Sequence, residues 1–270
     1  MMPGQPLPVL MYHHVSPKPG LVTCSPENFR AQMRWLAENG WKTLSTADFS
    51  AALAAGAWPK KSVLVTFDDG YLDNWVHAHP VLAEFGQRAS IFLITGWIGD
   101  GPVRTGTPEV PTHKQAMAAA AEGKLDDAFM RWSEVEAMRA AGTADFHSHT
   151  HTHTRWDRQI ADQATRDSAL AEDLAASRAT LADRLGEATP HLCWPQGYFD
   201  AAYQRIAQAA GFSHLYTTEH GVVRAGADLS RLPRLVAKDR GASWFGRRMS
   251  IYGRPWLSAL YLGLKSGKRH

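Results

Sequence analysis

Residues 63–70 constrain the fold of this chain more than any other stretch, and they read VLVTFDDG. The β-branched and apolar run predicts a buried strand that ends in two adjacent carboxylates. Because side chains alternate faces along a strand, Asp68 and Asp69 can enter one site only where the chain turns, and Gly70 permits that turn. One aspartate could then bind a metal ion while the other takes a proton from water. The alternative is that Asp69 only caps a following helix.

A second polar cluster lies further along the chain, where residues 147–153 contain four histidines in seven positions. Histidine is the commonest metal ligand among protein side chains. We expect the preceding strand to end near His147 or His149, so that a turn brings two imidazoles onto a common ion. Two histidines and one carboxylate, with positions left for water, are typical of a catalytic metal site. The alternative is a polar strand with exposed histidines.

Strand-like and helix-like segments alternate along the chain, which predicts an α/β fold with a parallel sheet and right-handed crossovers. The predicted strands cover residues 8–13, 41–44, 63–67, 89–94, 143–147, 191–194, 212–216 and 232–236. The predicted helices begin at Pro26 and then cover residues 47–55, 71–85, 114–130, 132–140, 163–185 and 200–210. Residues 96–111 are rich in Gly, Pro and Thr, which predicts a loop beside the site. The helix predicted over residues 114–130 would help to cover the site.

About seven strand–helix units suggest closure into a (β/α) barrel, in which chemistry lies at the carboxyl ends of the strands. Several candidate residues stand at such ends. Asp68 and Asp69 close the central strand, His13 closes the first strand, and His149 follows the strand before the histidine cluster. The Pro-Gln-Gly sequence at residues 195–197 follows a further strand. These positions predict one site at one end of the barrel.

The two clusters together resemble the first two motifs of the NodB-like polysaccharide deacetylases, which form carbohydrate esterase family 4. In that family the first Asp of the pair is the catalytic base, and the second Asp and two histidines four residues apart bind the metal. The resemblance therefore implies that Asp68 is the base and that Asp69, His149 and His153 are the metal ligands. It also implies a distorted (β/α) barrel of seven parallel strands, which agrees with the strand pattern.

Residues 194–198 read WPQGY and resemble the third motif of the family, in which an aromatic residue between Pro and Gly donates its backbone N–H to the oxyanion. Gln196 holds that position here, and only its backbone is needed; an ordinary turn is the alternative. Many members carry an Arg two residues before the proline, paired with the catalytic Asp, but this chain has Cys193 there. We assign that role to Arg234, although an Arg with a purely structural role at a strand end is the alternative.

The general acid has no obvious candidate late in the chain. Many family members supply it from a Leu-x-His motif, and no such motif follows Ala225. The first strand ends in Tyr12, His13 and His14, which resembles relatives with an early Tyr-His pair, including poly-N-acetylglucosamine deacetylases. We assign His13 as the acid, with His14 or a structural His13 as the alternatives.

The resemblance implies a metal-dependent hydrolase that removes N-acetyl groups from the amino sugars of a glycan, or of a lipid-linked or nucleotide-linked glycan precursor. Zn²⁺ fits a ligand set of two His and one Asp best, and Co²⁺, Ni²⁺ or Fe²⁺ would also bind. Two alternatives are a hydrolase of another non-peptide amide and a catalytically inactive glycan-binding module. No nucleic-acid partner is expected.

Charge is distributed unevenly along the chain. The formal net charge is +3, yet residues 240–270 contain seven Lys and Arg and no Asp or Glu. That segment therefore carries +7, and residues 1–239 carry −4. Within it Trp256, Leu260 and Leu264 recur at helical spacing. An apolar helical face beside basic residues is typical of an interfacial membrane segment, and a helix packed on the barrel is the alternative.

We predict one deacetylase domain over residues 1–254 and a basic amphipathic tail over residues 255–270. Residues 1–8 have neither a basic n-region nor a long apolar stretch, so they predict no secretory signal. Nowhere does an apolar run reach the roughly eighteen residues of a membrane span. We therefore expect a cytoplasmic protein, with peripheral contact at the inner membrane face through the tail. The two cysteines, Cys24 and Cys193, make no disulfide framework.

Overall fold

The computed structural model describes residues 4–266, without the side chains of residues 265 and 266. Its strands are β1 (Val9–Tyr12), β2 (His14–Val15), β3 (Thr23–Cys24), β4 (Lys42–Thr43), β5 (Ser62–Asp69), β6 (Ala89–Leu93), β7 (Ala144–Ser148), β8 (His191–Cys193), β9 (His214–His220) and β10 (Leu232–Val236). Its α-helices are α1 (Pro26–Glu38), α2 (Thr46–Ala55), α3 (His79–Glu84), α4 (His113–Ala121), α5 (Trp132–Ala140), α6 (Trp156–Gln159), α7 (Gln163–Leu185), α8 (Ala201–Ala209), α9 (Ala242–Tyr252) and α10 (Pro255–Ser266).

Seven strands close into a parallel ring in the order β1-β10-β9-β8-β7-β6-β5, because β5 also pairs with β1. Strand β4 pairs with the first residues of β5, and β2 pairs with β3 outside the ring. The helices follow the strands along the chain and surround the ring. The predicted barrel of about seven parallel strands is therefore confirmed.

Strand β5 is the central element, and all eight of its residues are buried. It runs between β1 and β6, so both of its edges are paired. Val63, Val65 and Phe67 pack in a cluster with residues of α1, α5, α7 and α9. Leu64 packs in a second cluster, which contains residues of the ring strands β1, β6, β8, β9 and β10. Since side chains alternate along a strand, Asp68 faces the barrel interior, as Leu64 does.

Two predicted helices differ from the observed ones. The helix predicted over residues 71–85 contains a π-helical segment, Asn74–Ala78, and becomes a regular α-helix only at His79. Pro80 lacks the N–H that a regular helix would bond to residue 76, and its ring crowds that carbonyl, which accounts for the wider turn. The reading of Asp69 as a helix cap is wrong, because β5 runs through Asp69.

The helix predicted over residues 114–130 is also shorter than expected. Its regular part, α4, ends at Ala121. Gly123 then adopts a left-handed φ of 73°, a conformation that ends helices, and a 3₁₀ turn follows at Leu125–Asp127. The prediction also omitted α9, whereas the helix over Gln163–Leu185 has the predicted bounds.

Helix α10 packs against α9, with the rings of Tyr252 and Tyr261 6.0 Å apart. Of the helices within residues 4–266, none combines the length and the apolar character that crossing a membrane requires. Of the predicted basic tail, Lys268, Arg269 and His270 lie outside the described residues. The boundary at residue 254 stays a prediction.

Three histidines form a row across neighbouring strands, with His147 on β7, His191 on β8 and His214 on β9. Their ring centroids are 4.8 Å and 4.5 Å apart. His147 and His191 are buried. Burial lowers the pKa of His147 to about 4 and holds the pKa of His191 well below its ordinary value, helped by the neighbouring rings. Both rings are therefore uncharged in the folded protein at neutral pH.

This row predicts that stability falls in mild acid. A histidine whose pKa is depressed by folding takes up its proton only on unfolding, so the free energy of unfolding decreases as pH drops below about 6.5. Each such histidine contributes a slope of about 1.4 kcal/mol per pH unit. The His191→Gln variant should show a slope smaller by about that amount between about pH 6.5 and pH 5, measured by urea unfolding. The same slope in both proteins would contradict the prediction.

Candidate active site

The paired aspartates reach one cleft because the backbone becomes left-handed at the end of β5. Asp69 has a φ of 75° and Gly70 a φ of 79°. This conformation breaks the alternation of side chains, so that neighbouring carboxylates can share a site. A Cβ at Gly70 would lie 2.7 Å from Leu93 Cδ2, so both the conformation and the space require glycine there.

Two of the four clustered histidines meet Asp69 in the turn after β7. The Nε2 atoms of His149 and His153 lie 3.2 Å and 3.6 Å from Asp69 Oδ1. Left-handed backbone at Thr150 and His153, with φ of 65° and 58°, curls the segment back on itself. The ring centroids of the two histidines are consequently only 5.0 Å apart.

The other two histidines of the cluster lie elsewhere. His147 belongs to the buried row across β7, β8 and β9. The ring of His151 turns away, with its Nδ1 2.9 Å from Thr95 Oγ1. The cluster is therefore divided between a pair beside Asp69 and two residues that make other contacts.

The residues beside Asp69 fit a divalent metal ion. One ligand atom from each of Asp69, His149 and His153 lies within 4.8 Å of the other two. Asp69 Oδ1 is buried and makes no hydrogen bond with any residue that the structure describes. His149 Nδ1 donates to the Cys193 carbonyl oxygen at 2.8 Å, which leaves Nε2 with its lone pair toward Asp69. Two imidazoles and one carboxylate are a donor set that suits Zn²⁺ and similar ions.

The pKa values of these three residues are set by burial and by the charges that they exert on one another. Burial lowers the pKa of His153 to about 4, so its ring is neutral, as a metal ligand must be. Burial would raise the pKa of Asp69, but the two histidines hold it well below its usual range. Burial would lower the pKa of His149, but the Asp69 carboxylate opposes that shift, so a proton and a cation would compete for its Nε2.

Asp68 is held by a buried two-point ion pair with Arg234. The guanidinium Nη1 and Nη2 lie 2.7 Å and 2.8 Å from the two carboxylate oxygens. Arg234 Nε donates to the Thr217 carbonyl at 2.9 Å, which fixes the plane of the guanidinium. Burial alone would raise the pKa of Asp68, but Arg234 more than offsets it, so that pKa lies below its ordinary value. Asp68 is therefore ionised at neutral pH.

Cys193 occupies the position where the resemblance led us to look for an arginine. Its Sγ lies 3.0 Å from Arg234 Nη2 and 3.6 Å from Asp68 Oδ2. Burial raises the pKa of the thiol, which is consequently protonated. The guanidinium that contacts Asp68 thus comes from β10 rather than from β8.

Of the two adjacent histidines after β1, only His13 borders the cleft. Its Nε2 lies 3.7 Å from Asp68 Oδ2. Burial lowers the pKa of His13, and the carboxylates of Asp68 and Asp69 oppose that shift. His14 is buried on the other side of the backbone, with its Nδ1 2.6 Å from Asp73 Oδ2.

Gln196 lies in the 3₁₀ turn after β8, Pro195–Gly197, and borders the same cleft. Its φ is 53°, and that of Gly197 is 70°. A Cβ at Gly197 would overlap the side chain of Thr218, at 2.1 Å from its Oγ1. The turn is therefore packed tightly against β9, which fixes the Gln196 backbone.

The cleft has a volume of about 330 Å³, and several of its lining residues were missed by the sequence analysis. Tyr71 and His113 meet there, with Tyr71 Oη 3.2 Å from His113 Nδ1. His113 and Met117 belong to α4, so part of the helix expected to cover the site does border it. Leu21 and Val22 form an apolar wall. An isolated histidine at a helix start and two apolar loop residues carry no sequence signal for a site.

A family model described as polysaccharide deacetylase matches residues 55–215. The chain therefore belongs to the polysaccharide deacetylases, that is, carbohydrate esterase family 4. The match includes both aspartates, the histidine cluster and the Pro-Gln-Gly turn. His13 and Arg234 lie outside it, so their placement beside Asp68 comes from the structure alone.

Individual relatives agree with this family. YxkH of Bacillus subtilis is 46% identical over 94 residues, a stretch that covers 34% of this chain and 33% of YxkH. The poly-β-1,6-N-acetyl-D-glucosamine N-deacetylase of Staphylococcus aureus is 22% identical over 217 residues, covering 80% of this chain and 68% of the relative.

Solved structures share the fold. IcaB from Ammonifex degensii superposes with a TM-score of 0.73 at 26% identity, covering 93% of this chain and 99% of that one. The Streptococcus pyogenes deacetylase PplD, solved in complex with acetate, gives a TM-score of 0.72 at 21% identity, covering 90% and 97%.

The buried ion pair predicts that replacing Arg234 lowers the free energy of unfolding much more than replacing Arg231, an exposed arginine of the same region. Arg234→Met leaves the Asp68 carboxylate buried without a partner, and we expect the free energy of unfolding to fall by about 3–5 kcal/mol. Arg231→Met is the control, because Arg231 pairs with Glu219 at the surface and should contribute less than about 1 kcal/mol. Guanidinium unfolding at pH 7 measures both. Equal losses would contradict this account of the pair.

Proposed function

We propose that this protein is a metal-dependent hydrolase that removes N-acetyl groups from the amino sugars of a glycan or of a glycan precursor. One observation carries the proposal: the ionised Asp68 carboxylate is held by Arg234 directly beside the Asp69, His149 and His153 set. A glycan-binding module would gain nothing from a buried base next to metal ligands. In such a module, removing the Asp68 carboxylate from water would only make the folded state less stable.

Asp69, His149 and His153 would hold one divalent ion, for which Zn²⁺ is the best fit and Co²⁺, Ni²⁺ or Fe²⁺ are alternatives. When bound, such an ion supplies Lewis acidity and lowers the pKa of a bound water. Two observations support this assignment: Asp69 Oδ1 is buried without a hydrogen bond and faces both Nε2 atoms, and the orientation of the His149 ring is fixed.

The remaining residues would carry the proton transfers. Asp68 takes a proton from the attacking water as its oxygen adds to the acetyl carbonyl carbon. The backbone N–H of Gln196 donates to the carbonyl oxygen as that oxygen gains negative charge. His13 in its protonated form then gives its proton to the sugar nitrogen, the carbon–nitrogen bond breaks, and a free amine and acetic acid, which ionises to acetate, are released. The proton held by Asp68 then passes to His13, whose Nε2 lies 3.7 Å from Asp68 Oδ2, and both groups return to their starting state. Arg234 keeps Asp68 ionised and oriented between turnovers.

The substrate class rests on the relatives and on the cleft. The Staphylococcus aureus relative is named for its action on poly-β-1,6-N-acetyl-D-glucosamine. A cleft of about 330 Å³ is near the lower limit for small-ligand sites. That volume suits one N-acetylated sugar unit rather than several. A lipid-linked or nucleotide-linked amino sugar would present such a unit.

Acetate release from N-acetylglucosamine oligomers tests the proposed activity. Release that depends on added divalent metal supports it. Binding of the oligomers without acetate release would favour the inactive glycan-binding module. Release only from a non-sugar acetamide would favour the hydrolase of another amide.

Mutation of the two adjacent aspartates should distinguish the metal ligand from the catalytic base. Asp69→Ala should lose both bound metal and activity, because it removes a ligand. Asp68→Asn should keep the metal, measured by mass spectrometry of the protein's metal content, but lower kcat by at least about 10². His151→Ala is the control within the histidine cluster and should keep both. Loss of metal from Asp68→Asn would exchange the roles of the two aspartates.

Two substrates with different leaving groups can distinguish the proposed acid role of His13 from a structural role. His13→Ala should lower kcat on N-acetylglucosamine oligomers by about 10²-fold or more, since an amine must be protonated to leave. Hydrolysis of 4-nitrophenyl acetate, whose phenolate leaves without a proton, should change by less than about tenfold. A similar loss on both substrates would indicate that His13 is structural.

A further inference from the structure

Helix α10 presents a row of apolar side chains to solvent. Trp256, Leu260 and Leu264 are 68%, 58% and 65% exposed. They are spaced four residues apart, so they stand above one another on one face of the helix. We call this row the apolar ridge. A single exposed apolar residue is ordinary, but a continuous row on one helix indicates a contact surface.

The opposite face of α10 is fixed to the body of the protein. Ser258 is buried and accepts a hydrogen bond from Arg224 at 2.8 Å. Tyr261 and Leu262 pack against the main core. The helix therefore packs on the barrel, as one of the two sequence-based readings expected, and still leaves the apolar ridge outside. Its orientation is set by these contacts.

Basic residues precede and follow the apolar ridge in the sequence. The segment from residue 240 onward has seven Lys and Arg and no acidic residue. Arg254 is exposed just before α10, and Arg247 is exposed on α9. Arg248 lies on the packed side of α10, over the ring of Tyr261, with its guanidinium carbon 4.7 Å from the ring centroid. The segment that contains the ridge therefore carries a large positive charge, and two of its arginines are exposed.

We propose that α10 docks this protein on an anionic lipid surface. The apolar ridge would enter the boundary between headgroups and acyl chains, and the basic residues would face the anionic headgroups. Trp256 is the side-chain type that favours this boundary. The proposal stands independently of the proposed deacetylase activity, because no residue of the cleft takes part in it.

A second copy of the chain is a less suitable partner for this face. It would bring two segments of charge +7 together, with no acidic side chain in either to compensate. Three side chains on one helix also expose much less than the roughly 800 Å² per partner of a stable protein interface. A lipid surface requires no matching shape and supplies negative charge.

Co-sedimentation with vesicles tests the proposal on the full chain. Vesicles of phosphatidylglycerol and phosphatidylcholine should sediment the protein at about 0.05 M NaCl, and much less at about 0.5 M, because salt screens the basic residues. Vesicles of phosphatidylcholine alone should sediment little of it. The Leu260→Gln/Leu264→Gln variant should bind the anionic vesicles at least about tenfold more weakly. Val103→Gln, an exposed apolar residue on another segment, is the matched control and should bind normally.

Thermal melting checks that each variant is folded. Neither melting nor sedimentation depends on enzymatic activity. Equal sedimentation of the original chain and the Leu260→Gln/Leu264→Gln variant would overturn the proposal. So would a protein that stays in the supernatant with all vesicles but forms a dimer that this variant abolishes; that result would assign the ridge to a second copy.

Discussion

The buried ion pair between Asp68 and Arg234 is the interaction on which the site depends. Strand β1 pairs with β5 on one side and with β10 on the other. The pair therefore spans β1 inside the barrel and joins the two strands that flank it. An isolated charge in this interior would be very unfavourable, so each partner stabilises the folded state only while the other is present. Correct closure of the barrel and ionisation of the proposed base are consequently coupled.

The site is also built from unfavourable backbone conformations. Asp69, Thr150, His153 and Gln196 are four of the six non-glycine residues with positive φ in the described chain. Each such residue costs on the order of 1–3 kcal/mol, which the paired strands beneath must offset. The result is that side chains from β5 and from the segment after β7 converge on a space that regular strands could not reach. The strain is concentrated where the proposed chemistry takes place.

The parts of the fold that depend on local pattern could be predicted from the sequence. The buried run before Asp68 and the apolar periodicity of Gln163–Leu185 gave the correct elements, because hydrophobic spacing follows directly from strand and helix geometry. The π-helical segment before His79 and the early end of α4 were missed, because they depend on single residues, Pro80 and Gly123. The contributions of Tyr71 and His113 to the cleft depend on packing between distant segments, which no local pattern records.

Cys193 Sγ lies beside the Arg234 guanidinium and close to Asp68. A side chain from β8 and a side chain from β10 therefore reach the same space next to the Asp68 carboxylate. The barrel interior there holds one guanidinium, and either of two strands could deliver it. A search restricted to the residues around Pro195 would find no arginine and would judge this chain defective. The requirement that this fold imposes is thus a guanidinium within reach of Asp68, and not an arginine at one fixed position of the sequence.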